Sequence, residues 1–330
     1  MARPLRLEFP GALYHVISRG NERAPIFRDD HDRSDFLDLL ASVVLKDALQ
    51  LHAYCLVGNH YHLLLETPAG QLSRGMHRLN ARYAQRFNRR HQRCGHLFEG
   101  RFKAIIVERQ LHLLELHRYI VLNPVRAGLV DRPEDWRWSS YHATSGRMQP
   151  PPWLQTQWTL SQFGRGAAEG RRAYIAFVET AIGRPAATGP IRNQIFMGGD
   201  DFLTRMQQLL EGRAWDNEIA IAQQTPNAPG LGDIERAVSQ AWGLAVSQLR
   251  RRRGGHPKLA AIYLARKLTH LRLREIAEAF GVGRGRVGNV VAEVEGGKHP
   301  ELQRRLPAVI EEIGRRKGVK KAGQKCQVET

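Results

Sequence analysis

Two short apolar runs, residues 51–57 and 60–66, are separated only by a Gly-Asn pair at 58–59. Such a pair between two apolar runs predicts a β-hairpin, so the runs should form neighbouring antiparallel strands. The second strand begins His-Tyr-His. Because alternate side chains of a strand point to the same face, we expect His60 and His62 to lie side by side, about 6.6 Å apart along the strand.

The segments around this hairpin alternate between strand and helix patterns. Two further runs read as strands, at 12–18 and 101–108. Three segments have the apolar spacing of amphipathic helices, at 32–49, 72–91 and 110–122. The order strand, helix, hairpin, helix, strand, helix predicts an α+β domain, a ferredoxin-like antiparallel sheet with its helices on one face.

The length of 330 residues predicts two or three domains. We expect the α+β domain to span residues 1–145. Residues 146–230 contain a Pro-Pro-Pro run and polar, Gly-containing pieces, which favour a linker region with short helices. Residues 231–315 read as an all-α domain, and residues 316–330 as a basic tail.

The net charge of +18 predicts a polyanionic partner or an acidic membrane surface. No apolar run approaches the 18 residues of a membrane span, and the first residues lack an apolar signal core. We therefore expect no membrane insertion and a cytoplasmic, nucleoid-associated location. The three cysteines (Cys55, Cys94 and Cys326) have no metal-type spacing and are typical of a reducing compartment.

Four side chains are candidates for chemistry on phosphate. Two imidazoles on a rigid strand are part of a metal site, and added oxygen ligands favour Mg²⁺ or Mn²⁺. Tyr119 and Asn123 are four residues apart and should share a helix face. The Tyr119 oxygen could attack phosphorus directly, and the Asn123 amide oxygen could bind the metal. The alternatives are solvated histidines, a half-buried tyrosine and an asparagine that caps a helix.

One stretch of the chain is almost purely basic, with nine Lys or Arg and one Glu between residues 74 and 103. Five arginines recur every four residues along one helix face: Arg74, Arg78, Arg82, Arg86 and Arg90. Arg101 and Lys103 follow. Charges of one sign repel one another, so this stripe predicts contact with phosphates, although a solvated helix face is the alternative. Interleaved aromatic residues offer stacking surfaces for unpaired bases: Tyr83, Phe87, Phe98 and Phe102.

The N-terminal part of the chain resembles the HUH single-strand endonucleases, specifically the REP-associated tyrosine transposases. The matching blocks are YHVISRGN (14–21), NARYAQRFN (80–88), GHLFEGRFK (95–103), YIVLNPVRAGL (119–129) and WRWSSY (136–141). The resemblance implies His60, His62 and Asn123 as metal ligands. It implies Tyr119 as the nucleophile that forms a 5′-phosphotyrosine link and frees a 3′-OH. The implied substrate is single-stranded DNA beside an imperfect hairpin.

The C-terminal part, residues 231–315, has the pattern of a helix-turn-helix domain. Helical patterns at 259–267 and 273–280 are followed by a glycine turn at 281–283 and a further helix at 284–291. The second helix of such a pair can lie in a major groove of duplex DNA.

Residues 233–294 resemble the duplex-binding C-terminal domain of the bacterial replication initiator. The resemblance implies a phosphate-contacting loop at 250–253. It implies base contacts from Arg284, Arg286 and Asn289. The alternative is a helical packing domain with a basic exterior.

These patterns predict a metal-dependent single-strand DNA endonuclease or transposase that acts as a monomer or homodimer. Single-stranded and hairpin DNA would bind the first domain, and duplex DNA the second. A regulator that binds hairpin DNA without cutting it, or an RNA-binding protein on the same fold, stays open.

Overall fold

The computed structural model describes residues 5–186, 188–211, 219, 221–251 and 254–316. The chain divides after Gly199 into two compact units. From residue 317 onward the predicted basic tail lies outside the described residues. No helix in the described ranges has the length and apolar character needed to cross a membrane.

The first unit is built around an antiparallel sheet. Its main elements are β1 (Ala12–Arg19), α1 (Asp30–Lys46), β2 (Gln50–Leu56), β3 (His60–Thr67), α2 (Leu72–Arg90), β4 (Lys103–Val107) and α3 (Arg109–Val121). These four strands lie in the order β2-β3-β1-β4, and each neighbouring pair is antiparallel. This connectivity is the split βαβ arrangement of ferredoxin-like folds. The predicted α+β class is therefore confirmed.

The predicted hairpin forms between β2 and β3. The backbone N–H of Val57 donates to the carbonyl of His60 at 2.9 Å, which closes the turn. Cys55 lies opposite His62 in the register of this pair. On its other side β3 pairs with β1, and Arg19 lies opposite His60. The two histidines therefore lie on an inner strand, with a neighbour on each side.

Helices cover both faces of the sheet, whereas the sequence predicted helices on one face. On one face the Phe36 ring of α1 lies 4.8 Å from the Tyr61 ring of β3. On the other face α3 packs into a core that includes Leu13, Leu64 and Leu116. The reason is that β3 is apolar on both sides: its residues 63–65 are three consecutive buried leucines. Burying them requires a layer of helix on each face.

Residues 146–199 belong to the first unit, whereas the sequence predicted a linker over 146–230. The elements that follow α3 are α4 (Asn123–Arg126), α5 (Tyr141–Ser145), α6 (Gln157–Ser161), α7 (Ala167–Glu179) and β5 (Phe196–Met197), with 3₁₀ turns at Asn21–Arg23 and Pro133–Asp135. The two-residue strand β5 adds to the sheet parallel to β4. Tyr174 of α7 is fully buried, and its ring lies 6.0 Å from that of Tyr141. This segment is held by backbone pairing and by buried rings.

The second unit is helical. Its elements are α8 (Asp200–Leu210), α9 (Ile221–Gln224), α10 (Leu231–Trp242), α11 (Val246–Arg251), α12 (His256–Leu268), α13 (Leu273–Phe280), α14 (Arg284–Glu295) and α15 (Pro300–Arg316). Its core includes Ile234, Leu264 and Val290, which come from three different helices. Helix α13 ends at Gly281, whose φ of 60° is in the left-handed region that glycine adopts readily. The two helices and the glycine turn predicted at 273–291 are present.

A substitution at Tyr174 tests whether residues 146–199 are part of the first unit. We expect Tyr174→Ala to lower the free energy of unfolding of this unit by about 3 kcal/mol or more, because it removes a fully buried aromatic ring. Arg172→Ala, an exposed change in the same helix, is the control and should have little effect. Urea unfolding followed by tryptophan fluorescence measures both, since four of the six tryptophans lie before residue 200. Equal stability of the two variants would contradict the assignment.

Candidate active site

Three histidines meet on the face of the sheet that α3 covers. The ring centroids of His60 and His62 are 4.9 Å apart. His15 of β1 joins them, with its Nε2 atom 2.9 Å from Nδ1 of His62. Sequence patterns alone do not mark His15 as a site residue. The signal was a histidine in a strand-like run, but only the pairing of β1 with β3 places it beside His62.

Asn59 determines which nitrogen of His60 is protonated. Its amide nitrogen donates to the backbone oxygen of Arg23 at 3.0 Å. Its amide oxygen therefore faces Nδ1 of His60, at 2.6 Å. Because an amide oxygen only accepts hydrogen bonds, Nδ1 of His60 carries the proton. The lone pair of Nε2 is then available to a ligand.

His62 has a comparable arrangement. Its Nε2 atom is buried and has no hydrogen-bond partner among the described residues. When Nδ1 of His62 donates to Nε2 of His15, the Nε2 atom of His62 keeps its lone pair. A histidine that binds a metal commonly has its other nitrogen held by such a hydrogen bond. Both histidines of β3 can therefore present Nε2 as a ligand.

The electrostatics keep these imidazoles neutral. Burial lowers the pKa of His15 to about 3. Burial, and then the charge of Arg19, lower the pKa of His60 to about 4. The pKa of His62 lies well below its usual value, first because of burial and then because of the neighbouring His15, His60 and Arg19. Neutral imidazole is the form that binds a metal, so the site needs no proton loss near pH 7.

The histidine pair fits a divalent metal that takes further oxygen ligands. Within the described residues no three His, Cys, Asp or Glu side chains are grouped as a metal site of their own. His60 and His62 would supply two nitrogen ligands to such a metal, and the others would be oxygens of an amide, of water or of a phosphate. This mixed donor set suits a metal in phosphoryl chemistry better than a closed structural site.

Tyr119 lies against these histidines. It is half-buried on α3, and its ring contacts His62 edge-on, with centroids 5.9 Å apart. The ring of His15 lies 6.0 Å away in a similar edge contact. Since α3 packs on the histidine face of the sheet, the only tyrosine of this helix is placed beside the candidate ligands. The structure thus brings together His60, His62 and Tyr119.

Asn123 lies one helical turn after Tyr119, at the start of α4. Its amide nitrogen donates to the carbonyl of Tyr119 at 2.9 Å and to that of Ile120 at 3.4 Å. Asn123 therefore caps the end of α3, as one of the two sequence interpretations held. The cap uses only the amide nitrogen, so the amide oxygen is left as an acceptor. Its role as a metal ligand stays a prediction.

Four of the five arginines in the stripe of α2 form ion pairs, so the stripe is not the unopposed run of charge that the sequence suggests, and its contact with phosphates stays a prediction. Arg74 and Arg78 both pair with the buried carboxylate of Asp47, at 3.1 and 3.0 Å. Arg86 pairs with Asp35, and Arg90 with the carboxylates at positions 29 and 32. The sequence could not show this because the acids come from α1 and its flanks. Arg82 is exposed and has no ion pair within the described ranges.

The interleaved aromatic residues are also placed differently from the prediction. Tyr83 and Phe87 are buried in the core of the first unit, so they offer no surface to a base. Phe102 is buried too, with the guanidinium of Arg6 4.0 Å from its ring centroid. Phe98 is only partly buried.

A half-open cavity of about 620 Å³ lies between α2 and residues 95–102. Apolar and polar side chains line it, among them Arg6, His77, Asn80, His96, Phe98 and Arg101. Lys103 lies next to this segment and is exposed. The combination of a partly buried ring with amide and guanidinium groups suits an unpaired base.

In the second unit the three candidate base-reading residues lie on α14 and are exposed. Arg286 pairs with Glu293, 2.5 Å away, and this hydrogen bond lowers the pKa of the Glu293 carboxyl. Arg284 has no ion pair among the described residues, and Asn289 is exposed one turn further along.

The predicted phosphate-contacting loop at 250–253 is only partly described, because residues 252 and 253 lie outside the described residues. Arg250 donates to the buried carboxylate of Glu235 at 2.8 Å.

The chain is similar to a known protein family and to solved structures. Residues 9–123 match the family described as transposase IS200 like. The range covers all four candidate residues, His60, His62, Tyr119 and Asn123. One similar solved structure is that of a REP-associated tyrosine transposase bound to a REP hairpin. It has 18% sequence identity, covers 46% of this chain and 89% of its own, and has a TM-score of 0.39. No curated protein matches.

The pairing of the stripe predicts different roles for its arginines. We expect Arg82→Ala to weaken binding of single-stranded DNA, the predicted partner, and to lower the salt dependence of binding by about 0.7 in a log–log plot. Its stability should not change, because Arg82 holds no carboxylate among the described residues. The double variant Arg74→Ala/Arg78→Ala should instead lose about 2 kcal/mol of unfolding free energy, since it leaves the buried Asp47 carboxylate unpaired. Fluorescence anisotropy and urea unfolding measure the two effects. A stability loss in Arg82→Ala would contradict this division.

Proposed function

We propose that the first unit cuts and rejoins single-stranded DNA through Tyr119, since residues 9–123 match the family described as transposase IS200 like. The substrate would be DNA beside a hairpin formed by a palindromic repeat. The observation that carries the proposal is the contact of Tyr119 with His62, on the face where His60 and His62 can both present Nε2.

Each residue has a role in this proposal. The Tyr119 oxygen bonds to phosphorus while the bond from phosphorus to the 3′-oxygen breaks, which leaves the 5′ end of the DNA on the protein. His60 and His62 would hold a divalent metal ion, Mg²⁺ or Mn²⁺, with Asn123 as a third ligand through its amide oxygen. When bound, this ion supplies positive charge to the phosphate oxygens. His15 and Asn59 hold the two imidazoles in the protonation state and orientation described above.

The cavity beside α2 supports the preference for unpaired DNA. A base that is stacked in a duplex cannot enter a cleft of this kind, whereas an unpaired base can stack on Phe98. Arg101 lies at the same cavity and could contact the adjoining phosphate. We propose that this cavity holds a base of the single-stranded segment that flanks the hairpin.

The test uses the full chain, Mn²⁺ or Mg²⁺ and a single-stranded oligonucleotide that carries a palindromic hairpin. We expect a covalent protein–DNA adduct on denaturing electrophoresis. Tyr119→Phe and addition of a chelator should each abolish it. Tyr141→Phe is the matched control, because its buried hydroxyl has no hydrogen-bond partner in the described structure, and it should give the adduct at the wild-type level.

Other outcomes of this test favour other functions. An adduct that persists in Tyr119→Phe would assign the nucleophile elsewhere. Tight hairpin binding without an adduct in the wild type would favour a regulator that does not cut. Tighter binding of RNA than of DNA of the same sequence would favour an RNA-binding protein.

We further propose that the second unit binds duplex DNA through α14. Its support is the exposure of Arg284 and Asn289 on a helix that follows a glycine turn. Arg284→Ala should weaken binding of duplex DNA and lower the log–log salt dependence by about 0.9. Arg304→Ala on α15 is the control, an exposed arginine of the same unit. Equal losses in the two variants would indicate a general effect of charge and contradict a specific role for α14.

A further inference from the structure

One arginine lies over the ring of the proposed nucleophile. Arg126 ends the short helix α4, and its guanidinium carbon is 5.2 Å from the centroid of the Tyr119 ring. Its Nη1 atom donates to the backbone carbonyl of Tyr119 at 3.1 Å. The Tyr119 ring is therefore bordered by His15 and His62 on its edges and by a cation on its face.

The hydrogen-bonding capacity of Arg126 is mostly unused. A guanidinium has five N–H donors, and only the contact to the Tyr119 carbonyl is made within the described residues. No carboxylate there lies within ion-pair distance of it, in contrast to Arg118, which pairs with Glu115 on the same helix end. Burial lowers the pKa of Arg126, and the nearby Tyr119 opposes this shift. Arginine nevertheless stays charged near neutral pH.

We propose that Arg126 binds the nonbridging oxygens of the phosphate that Tyr119 attacks. The inference rests on the proposed function, because it assigns a further catalytic residue to that reaction. As the bond between the Tyr119 oxygen and phosphorus forms and the bond to the 3′-oxygen breaks, negative charge builds up on the nonbridging oxygens. The phenol proton leaves to water, and the departing 3′-oxygen takes a proton from water. A fixed guanidinium beside the ring stabilises that charge without rearranging.

The alternative is that Arg126 only holds the end of α3 through the Tyr119 carbonyl. The two roles differ in one measurable respect. A phosphate contact depends on the charge of the scissile phosphate, whereas a structural contact does not. Comparing a normal phosphate with a neutral methylphosphonate at the scissile position therefore separates them.

The first experiment measures the rate of adduct formation by the full chain on both oligonucleotides. We expect Arg126→Gln to slow the reaction of the phosphate by about 100-fold. On the methylphosphonate the same variant should lose much less, because the charge that Arg126 neutralises is absent. Arg118→Gln is the control and should change both rates by the same factor. Equal losses of Arg126→Gln on the two substrates would overturn the proposal.

A second experiment does not depend on cleavage. In the Tyr119→Phe background, Arg126→Gln should weaken binding of the single-stranded hairpin oligonucleotide and lower the log–log salt dependence by about 0.7. Arg118→Gln should leave that salt dependence unchanged. A reduced salt dependence without any wild-type adduct would support the phosphate contact and contradict the cutting function. An unchanged salt dependence would contradict the contact even where the adduct forms.

Discussion

The burial of β1 and β3 on both faces is the constraint on which the site depends. Strands that are apolar on one face need one layer of helices, whereas leucines at 63–65 require two. The second layer is α3, and it packs on the face that carries His15, His60 and His62. Tyr119 reaches the histidines as a consequence of this packing. A change that loosened α3 from the sheet would move the proposed nucleophile without touching any candidate ligand.

The orientation of the imidazoles depends on neutral hydrogen-bond partners. Asn59 accepts a hydrogen bond from His60, and His15 accepts one from His62 when Nε2 of His62 is to bind a metal, where many metal sites use a carboxylate for this purpose. A carboxylate would add negative charge beside a phosphate that already carries one. The neutral partners add no negative charge and the nearby Arg19 adds positive charge, which suits the proposed anionic substrate. The same surroundings hold the pKa of each histidine low, so both candidate ligands stay in the neutral form that can bind a metal.

Local patterns predicted the elements well, and long-range contacts account for what they missed. The Gly-Asn turn and the strand alternation sufficed for the β2–β3 hairpin and for the shared face of His60 and His62. They could not reveal His15, because its place depends on the register of β1 against β3. The two-residue strand β5 is too short to leave a pattern, so the first unit was predicted to end too early. The arginine stripe looked unopposed because its acids lie on another helix.

The arginines of this highly charged chain fall into two groups. Some form ion pairs that stabilise the fold, and others have no ion pair and are available to bind a ligand. The paired arginines of the stripe hold α2 to α1 and its flanks. The carboxylates of these ion pairs partly cancel the positive charge that the sequence suggested was available for DNA. Arg19 and Arg126 lie at the histidine and tyrosine groups and have no ion pair within the described residues. An unpaired cation binds phosphate without first releasing a carboxylate. Two of the positive charges that are free to act therefore lie where the proposed scissile phosphate would have to be held.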